Sequence, residues 1–220
     1  KFFFENDLRF IKTKGISSLT KNLNKVTFHN KIGSQLDRIK NIEELSKKIS
    51  YQIGVDSSKC LIASRICKTD LVTQVVSEFP ELQGIIGGYY AAASGEVTAV
   101  SSSITSHYRP QGPADNLPVT PTAMVVALAD KVDTLVGFFG IDAKPTGSKD
   151  PFALRRAALG VIRIIVDGKL NLPLVIVLQA AAKGYGFASF DPDLLPFIHD
   201  RLRGYLRDQK MRHDVVAAAL

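Results

Sequence analysis

Apolar residues recur every three or four positions along almost the whole of this 220-residue chain, and that spacing commits it to helices. Ile32, Leu36, Ile39, Ile42, Leu45, Ile49 and Ile53 fall on one stripe of a single helix, which Gly54 ends. Asp56 or Ser57 can cap a second helix through Ile62 and Ile66, and helical spacing resumes from Leu71 to Phe79 until Pro80 interrupts it. Gly84, Gly87 and Gly88 weaken the next helix, toward Tyr90 and the alanines, but such small residues let another helix approach closely. Residues 107–121 (HYRPQGPADNLPVTP) hold four prolines and a glycine and read as an ordered loop or linker. A helix is predicted from about Thr122 to Phe139, with Val125, Leu128, Ala129, Val132, Leu135, Val136 and Phe139 inward and Gly140 as its stop.

Asp150-Pro151 reads as a helix start, the carboxylate accepting from free N–H groups and proline taking the first helical position. Leu154, Ala158, Val161, Ile162 and Ile165 line its inner face, and Gly168 ends it. Asp191-Pro192 repeats the signal before Leu194, Leu195, Ile198, Leu202 and Leu206. The run Leu174–Leu178 fits either a strand or a helix. No regular repeat and no alternating strand pattern is present, so the expected class is all-α, a helical bundle. The expected division is residues 1–148 and a helical segment over 149–220.

At 45% apolar and 22% charged residues the composition is that of a globular chain and excludes disorder and collagen-like repeats. Leu174–Leu178 with Ala180–Ala182 is far too short to span a bilayer. Cys60 and Cys67 lie two helical turns apart, about 10 Å on a rise of ~1.5 Å per residue, beyond disulfide reach. A reducing compartment is the simpler setting. The chain opens on Lys1 with no secretory leader pattern, as expected of a piece of a longer protein.

Charge is unevenly spread. Residues 1–68 carry 14 Lys/Arg against 6 Asp/Glu, residues 69–148 carry 3 against 8, and residues 149–220 carry 11 against 7. Basic flanks around an acidic middle suit a polyanion, although solvated helix faces give the same count. Arg155, Arg156 and Arg163 fall on one helix; Arg201, Arg203 and Arg207, followed by Lys210 and Arg212, fall on the last, with Tyr205 as a stacking surface. The turn Pro145-Thr-Gly-Ser-Lys-Asp150 brings Lys149 to a helix start. It lacks the G-x-x-x-x-G-K-[ST] spacing of a phosphate-binding loop, and Asp150 fills the position an anion would need, so a capped helix start is the better reading.

His29, Asp70 and Asp130, with Asp133 one turn on, are metal-type ligands. The string ALADKVDTL around Asp130 resembles the final aspartate region of the HD superfamily of metal-dependent phosphohydrolases. Its His-Asp doublet reads Thr69-Asp70 here, and the literal pairs at 199–200 and 213–214 come in the wrong order. A surface His29 with capping or solvent-facing aspartates is preferred, and no metal and no catalytic residue is assigned. Cys60 and Cys67 have no evident base, and no Ser-His-Asp pattern occurs.

Longer strings carry a more specific resemblance. SEFPELQGIIGGYYA (77–91), HYRPQGPADNLP (107–118), ALADKVDTLVGFFGI (127–141), PTGSKDPFALRRAALGVIRII (145–165) and DRLRGYLRDQKMRHDVVAA (200–218) look like the β subunit of bacterial tetrameric glycyl-tRNA synthetases, in family order. The resemblance implies an HD-like helical domain leading into the start of an anticodon-binding domain. It implies a cytoplasmic α2β2 glycine–tRNA ligase that uses ATP and Mg, with chemistry on the α subunit, and tRNA-Gly and the α subunit as partners; this portion would hold no cofactor of its own. Lys149, Arg155, Arg156, Arg201, Arg203 and Arg207 are then the candidate tRNA contacts, chosen on charge and helix placement, with internal pairing of Arg155 or Arg156 to Asp150 or Asp130 as the competing arrangement. An HD-type metal-dependent phosphohydrolase is the alternative function, and an interdomain brace against the α subunit a third.

Overall fold

A computed structural model describes residues 1–211 and Asp214. The architecture is all-α. Helices α1 (Phe2–Lys14), α2 (Gln35–Ile53), α3 (Ser57–Ile66), α4 (Gln74–Glu78), α5 (Ile85–Ala93), α6 (Thr98–Ser106), α7 (Pro121–Gly140), α8 (Leu154–Asp167), α9 (Leu174–Gly184) and α10 (Leu194–Asp208) are joined by turns, 3-10 segments and two longer loops, over 107–120 and 141–153. The described strands are β1 (Thr27–His29) and β2 (Gly33–Ser34), an antiparallel pair just ahead of α2.

Helix α7 is the axis, with sixteen of its twenty residues buried. Along one side Leu128, Val132 and Leu135 join Ile42 and Ile49 of α2, Val161 of α8, Val177 of α9 and Ile198 of α10. Toward the other, Val126 meets Ile39 of α2, Ile66 of α3, Tyr90 of α5 and Ile104 of α6 in a second core that also holds Ile11 and Leu23. The first core thus draws residues from both sides of the expected 148/149 division.

The predicted stop at Gly54 and cap at Asp56 are present, and Ser34 and Thr120 supply caps that sequence reasoning missed. Ser34 and Asp37 form a reciprocal capping box at the start of α2, which stops at Gly54. Asp56 accepts from the Ser58 N–H to open α3, and Thr120 caps α7 with Pro121 at its first position. The close approach expected of the small residues in α5 is present: a Cβ at Gly88 would lie 1.9 Å from Thr105 Oγ1 on α6.

Two expectations need correction, and one open reading is decided. Ile32 precedes α2, because the β1–β2 turn occupies residues 30–32. Leu174–Leu178 is helical: Val177, Leu178, Ala181 and Ala182 bury one helical face, a period that the unbroken apolar run concealed. The second correction concerns Asp150-Pro151. Helix α8 begins only at Leu154, after a turn in which the Ala153 N–H bonds the Asp150 carbonyl at 3.1 Å and Ala153 adopts φ +56°. The Asp150 carboxylate still caps, from farther back, accepting from Leu154 N at 2.8 Å and Arg155 N at 3.0 Å.

Candidate nucleic-acid interface

The apolar stripes of α8 and α10 force their charged sides together. Leu154, Ala158 and Val161 of α8, and Leu194 and Ile198 of α10, are buried in the first core, so the remaining faces of both helices flank a surface groove. Arg155, Arg156 and Leu159 line one wall; Asp200, Arg201, Gly204, Tyr205, Arg207 and Asp208 line the other, around about 490 Å³. Four arginines face two aspartates. Asp200 contacts Arg201, and its carboxyl is held below the usual range first by that hydrogen bond. Tyr205 has its hydroxyl bound to Asp167, which fixes the ring at the groove edge.

The sequence-predicted residues divide accordingly. Arg155, Arg156, Arg201 and Arg207 are brought together. Arg203 is exposed on α10 but does not line the groove. Lys149 is exposed in the turn closed by Thr146 and Lys149 backbone bonds; Arg155 Nη2 reaches that turn through the Gly147 carbonyl at 2.7 Å. Arg163 is spent internally on the Gly112 and Asp115 carbonyls, at 2.9 and 2.8 Å, and steadies the 107–120 loop. Lys210 is exposed beyond α10, while Arg212 and His213 lie outside the described residues. The competing arrangement for Arg155 and Arg156 is not adopted: Asp150 is taken by backbone N–H groups and Asp130 by other cations.

Those cations are Arg38 and Lys68. Arg38 Nη2 lies 3.0 Å from Asp130 Oδ1, Arg38 Nε lies 3.0 Å from Asp133 Oδ2, and Lys68 Nζ lies 2.8 Å from Asp130 Oδ1. All four residues are buried. Lys68 also sits 3.7 Å from the centre of the Tyr108 ring and Arg38 4.1 Å from that of Phe28. Burial alone would raise Asp130, but Arg38 and Lys68 overcome it and hold the carboxyl below its usual range. At Asp133 burial wins and pushes the carboxyl up to about 6 against Arg38.

His29, Asp70 and Asp130 do not converge: among the described residues no group of three or more His, Cys, Asp or Glu side chains is placed to hold a metal. His29 packs edge-on against Phe138 and Phe152. Asp70 is buried, not solvent-facing, and accepts from the Gly84 N–H at 2.5 Å at the start of α5. A divalent ion at Asp130 would have to displace two buried cations, so the donor set does not fit the metal of the HD superfamily. Sequence reasoning missed Arg38 and Lys68. The cue available was the charged Asp130-Lys131-Asp133 patch inside an otherwise apolar helix, which demands buried partners.

Fold and groove together define an all-α helical unit with a cationic cleft. A family model described as "Glycyl-tRNA synthetase beta subunit" matches residues 1–220, and the chain belongs to that family. It is 47% identical to the glycine–tRNA ligase β subunit of Cereibacter sphaeroides (strain ATCC 17029), 48% to that of a Ruegeria species and 49% to that of Paracoccus denitrificans. The whole chain is covered in each, against 33%, 32% and 31% of those relatives, so it spans about a third of their length.

Proposed function

We propose that this chain is a tRNA-engaging helical portion of a glycine–tRNA ligase β subunit. In the whole enzyme, glycine would be joined to tRNA-Gly at the expense of ATP with Mg, the adenylate chemistry lying on an α subunit of an α2β2 assembly in the cytoplasm. No group of this chain is assigned to bond-making. Its part is to hold a polyanion in register: guanidinium groups release counterions from phosphates and position the strand, while base contacts supply identity.

The observation that carries the reading is the convergence of Arg155, Arg156, Arg201 and Arg207 on one groove. Lys149, beside it, and Arg203, outside it, would extend the contact along the same edge. No helix among the described residues is long and apolar enough to cross a membrane.

The test is a titration of tRNA-Gly against the chain at several salt concentrations. Four phosphate contacts predict a log–log salt slope of about −3, at ~0.7–0.9 per phosphate, and Arg201→Ala or Arg207→Ala should each flatten it by nearly one contact. Affinity equal for every polyanion, or none at all, would leave the domain as a scaffold between subunits.

A further inference from the structure

A second depression of about 420 Å³ adjoins the groove, and Arg156 lines both. Its chemistry is different. Gln83, Tyr108, Gln111, Asp130, Lys131, Thr134 and Phe152 contribute, so amides, a hydroxyl and two aromatic rings replace the arginine array. Resting on the RNA reading above, we propose that this depression seats one unpaired nucleobase of the strand whose phosphates lie between α8 and α10.

The volume falls within the roughly 300–1,000 Å³ of small-ligand sites. Both rings are held in place before any ligand arrives. Phe152 is stacked on Phe138 with centroids 4.0 Å apart, and Tyr108 is pinned by the Lys68 ammonium on its ring. The rim is fastened too: Lys131 Nζ donates to the Tyr108 carbonyl at 2.9 Å, and its stem passes so close to α8 that a Cβ at Gly160 would lie 2.6 Å from Lys131 Cε. Gln83 and Gln111 are exposed, which leaves their amides open to a base edge. A carboxamide offers a donor and an acceptor side by side, the pattern that matches base edges, and a splayed base finds rings or a guanidinium to stack on. A second phosphate fits less well, since Arg156 is the exposed cation of the lining and Asp130 lies in the floor.

The experiment compares a labelled single-stranded RNA pentamer with an abasic ribose-phosphate strand of equal length and charge, by fluorescence anisotropy on the chain. Stacking worth ~1–3 kcal/mol per base predicts that the RNA binds about fivefold or more tighter than the abasic strand. Combined Gln83→Ala and Gln111→Ala should remove much of that preference while abasic affinity stays unchanged, and Arg201→Ala should weaken both strands. Equal affinity of the two strands for the unaltered chain, with salt dependence intact, overturns the base seat and leaves the phosphate groove standing. So does competition by free AMP as strong as by the strand, which would mark a mononucleotide site. If neither strand binds, the groove reading fails and the base seat falls with it.

Discussion

Asparagine at position 130 keeps the shape of the aspartate and deletes its charge, so Arg38 and Lys68 lose the carboxylate that both now contact at 3.0 and 2.8 Å. Lys68 is wholly buried and Arg38 nearly so, and neither can turn to solvent without opening the core between α2, α3 and α7. Removing one partner of a buried pair costs about 3–5 kcal/mol; Lys68 is left without its carboxylate, while Arg38 keeps Asp133 at 3.0 Å. Against a domain stability of about 5–15 kcal/mol this is a large fraction. With a urea m-value of about 3 kcal/mol per molar, Asp130→Asn should lower the unfolding midpoint by about 1–1.7 M. Lys68→Met in the Asp130→Asn background removes the stranded charge and should recover part of the loss. A midpoint for Asp130→Asn within about 0.3 M of the unaltered chain, less than about 1 kcal/mol at that slope, would refute the electrostatic account. Strict additivity of the two changes would do so as well.

Three further outcomes are expected. Burial, aided by Lys68, pushes His107 down to about 3, so the unfolded chain takes up its proton near pH 6.5 while the folded chain refuses it. Stability should therefore fall as pH drops through that window, by an amount reaching about 5 kcal/mol near pH 3. Asp133, pushed up to about 6, works the other way between pH 6 and 4, and urea midpoints of His107→Asn and the unaltered chain should converge as pH falls. Asp150→Ala removes the two N–H acceptors that start α8 and should cost about 1–2 kcal/mol; it should also weaken RNA binding, because Arg155 and Arg156 sit in the turn it fixes. Burial pushes the Cys60 thiol up to about 11 and Cys67 to about 12, so iodoacetamide should label Cys60 about 100-fold and Cys67 about 1,000-fold more slowly in the folded chain than in urea, as that thiolate suppression requires.

The helices were legible because their signals are local. Gly54, Asp56 and Gly140 act within one turn of themselves, and the stripes from Ile39 to Ile49 and from Val125 to Phe139 repeat at the helical period, whereas the caps at Ser34 and Thr120 went unread. Reading failed where a local signal had two solutions. Asp150-Pro151 can start a helix at once or after an intervening turn, and only the Ala153 conformation selects the second. Leu174–Leu178 carries no period until Ala181 and Ala182 find α7 and α2 beside them.

Chain order by itself determined the helical class, most boundaries and the family, since all three reside in periods and strings of adjacent residues. Tertiary structure decided which charges face one another. Arg155 and Arg201 are separated by 46 positions yet share a groove because their helices bury opposite stripes in the same core. Arg38, Lys68 and Asp130 could be matched only after α2, α3 and α7 had packed, for a buried charge is assigned its partner by three-dimensional proximity and not by spacing in sequence.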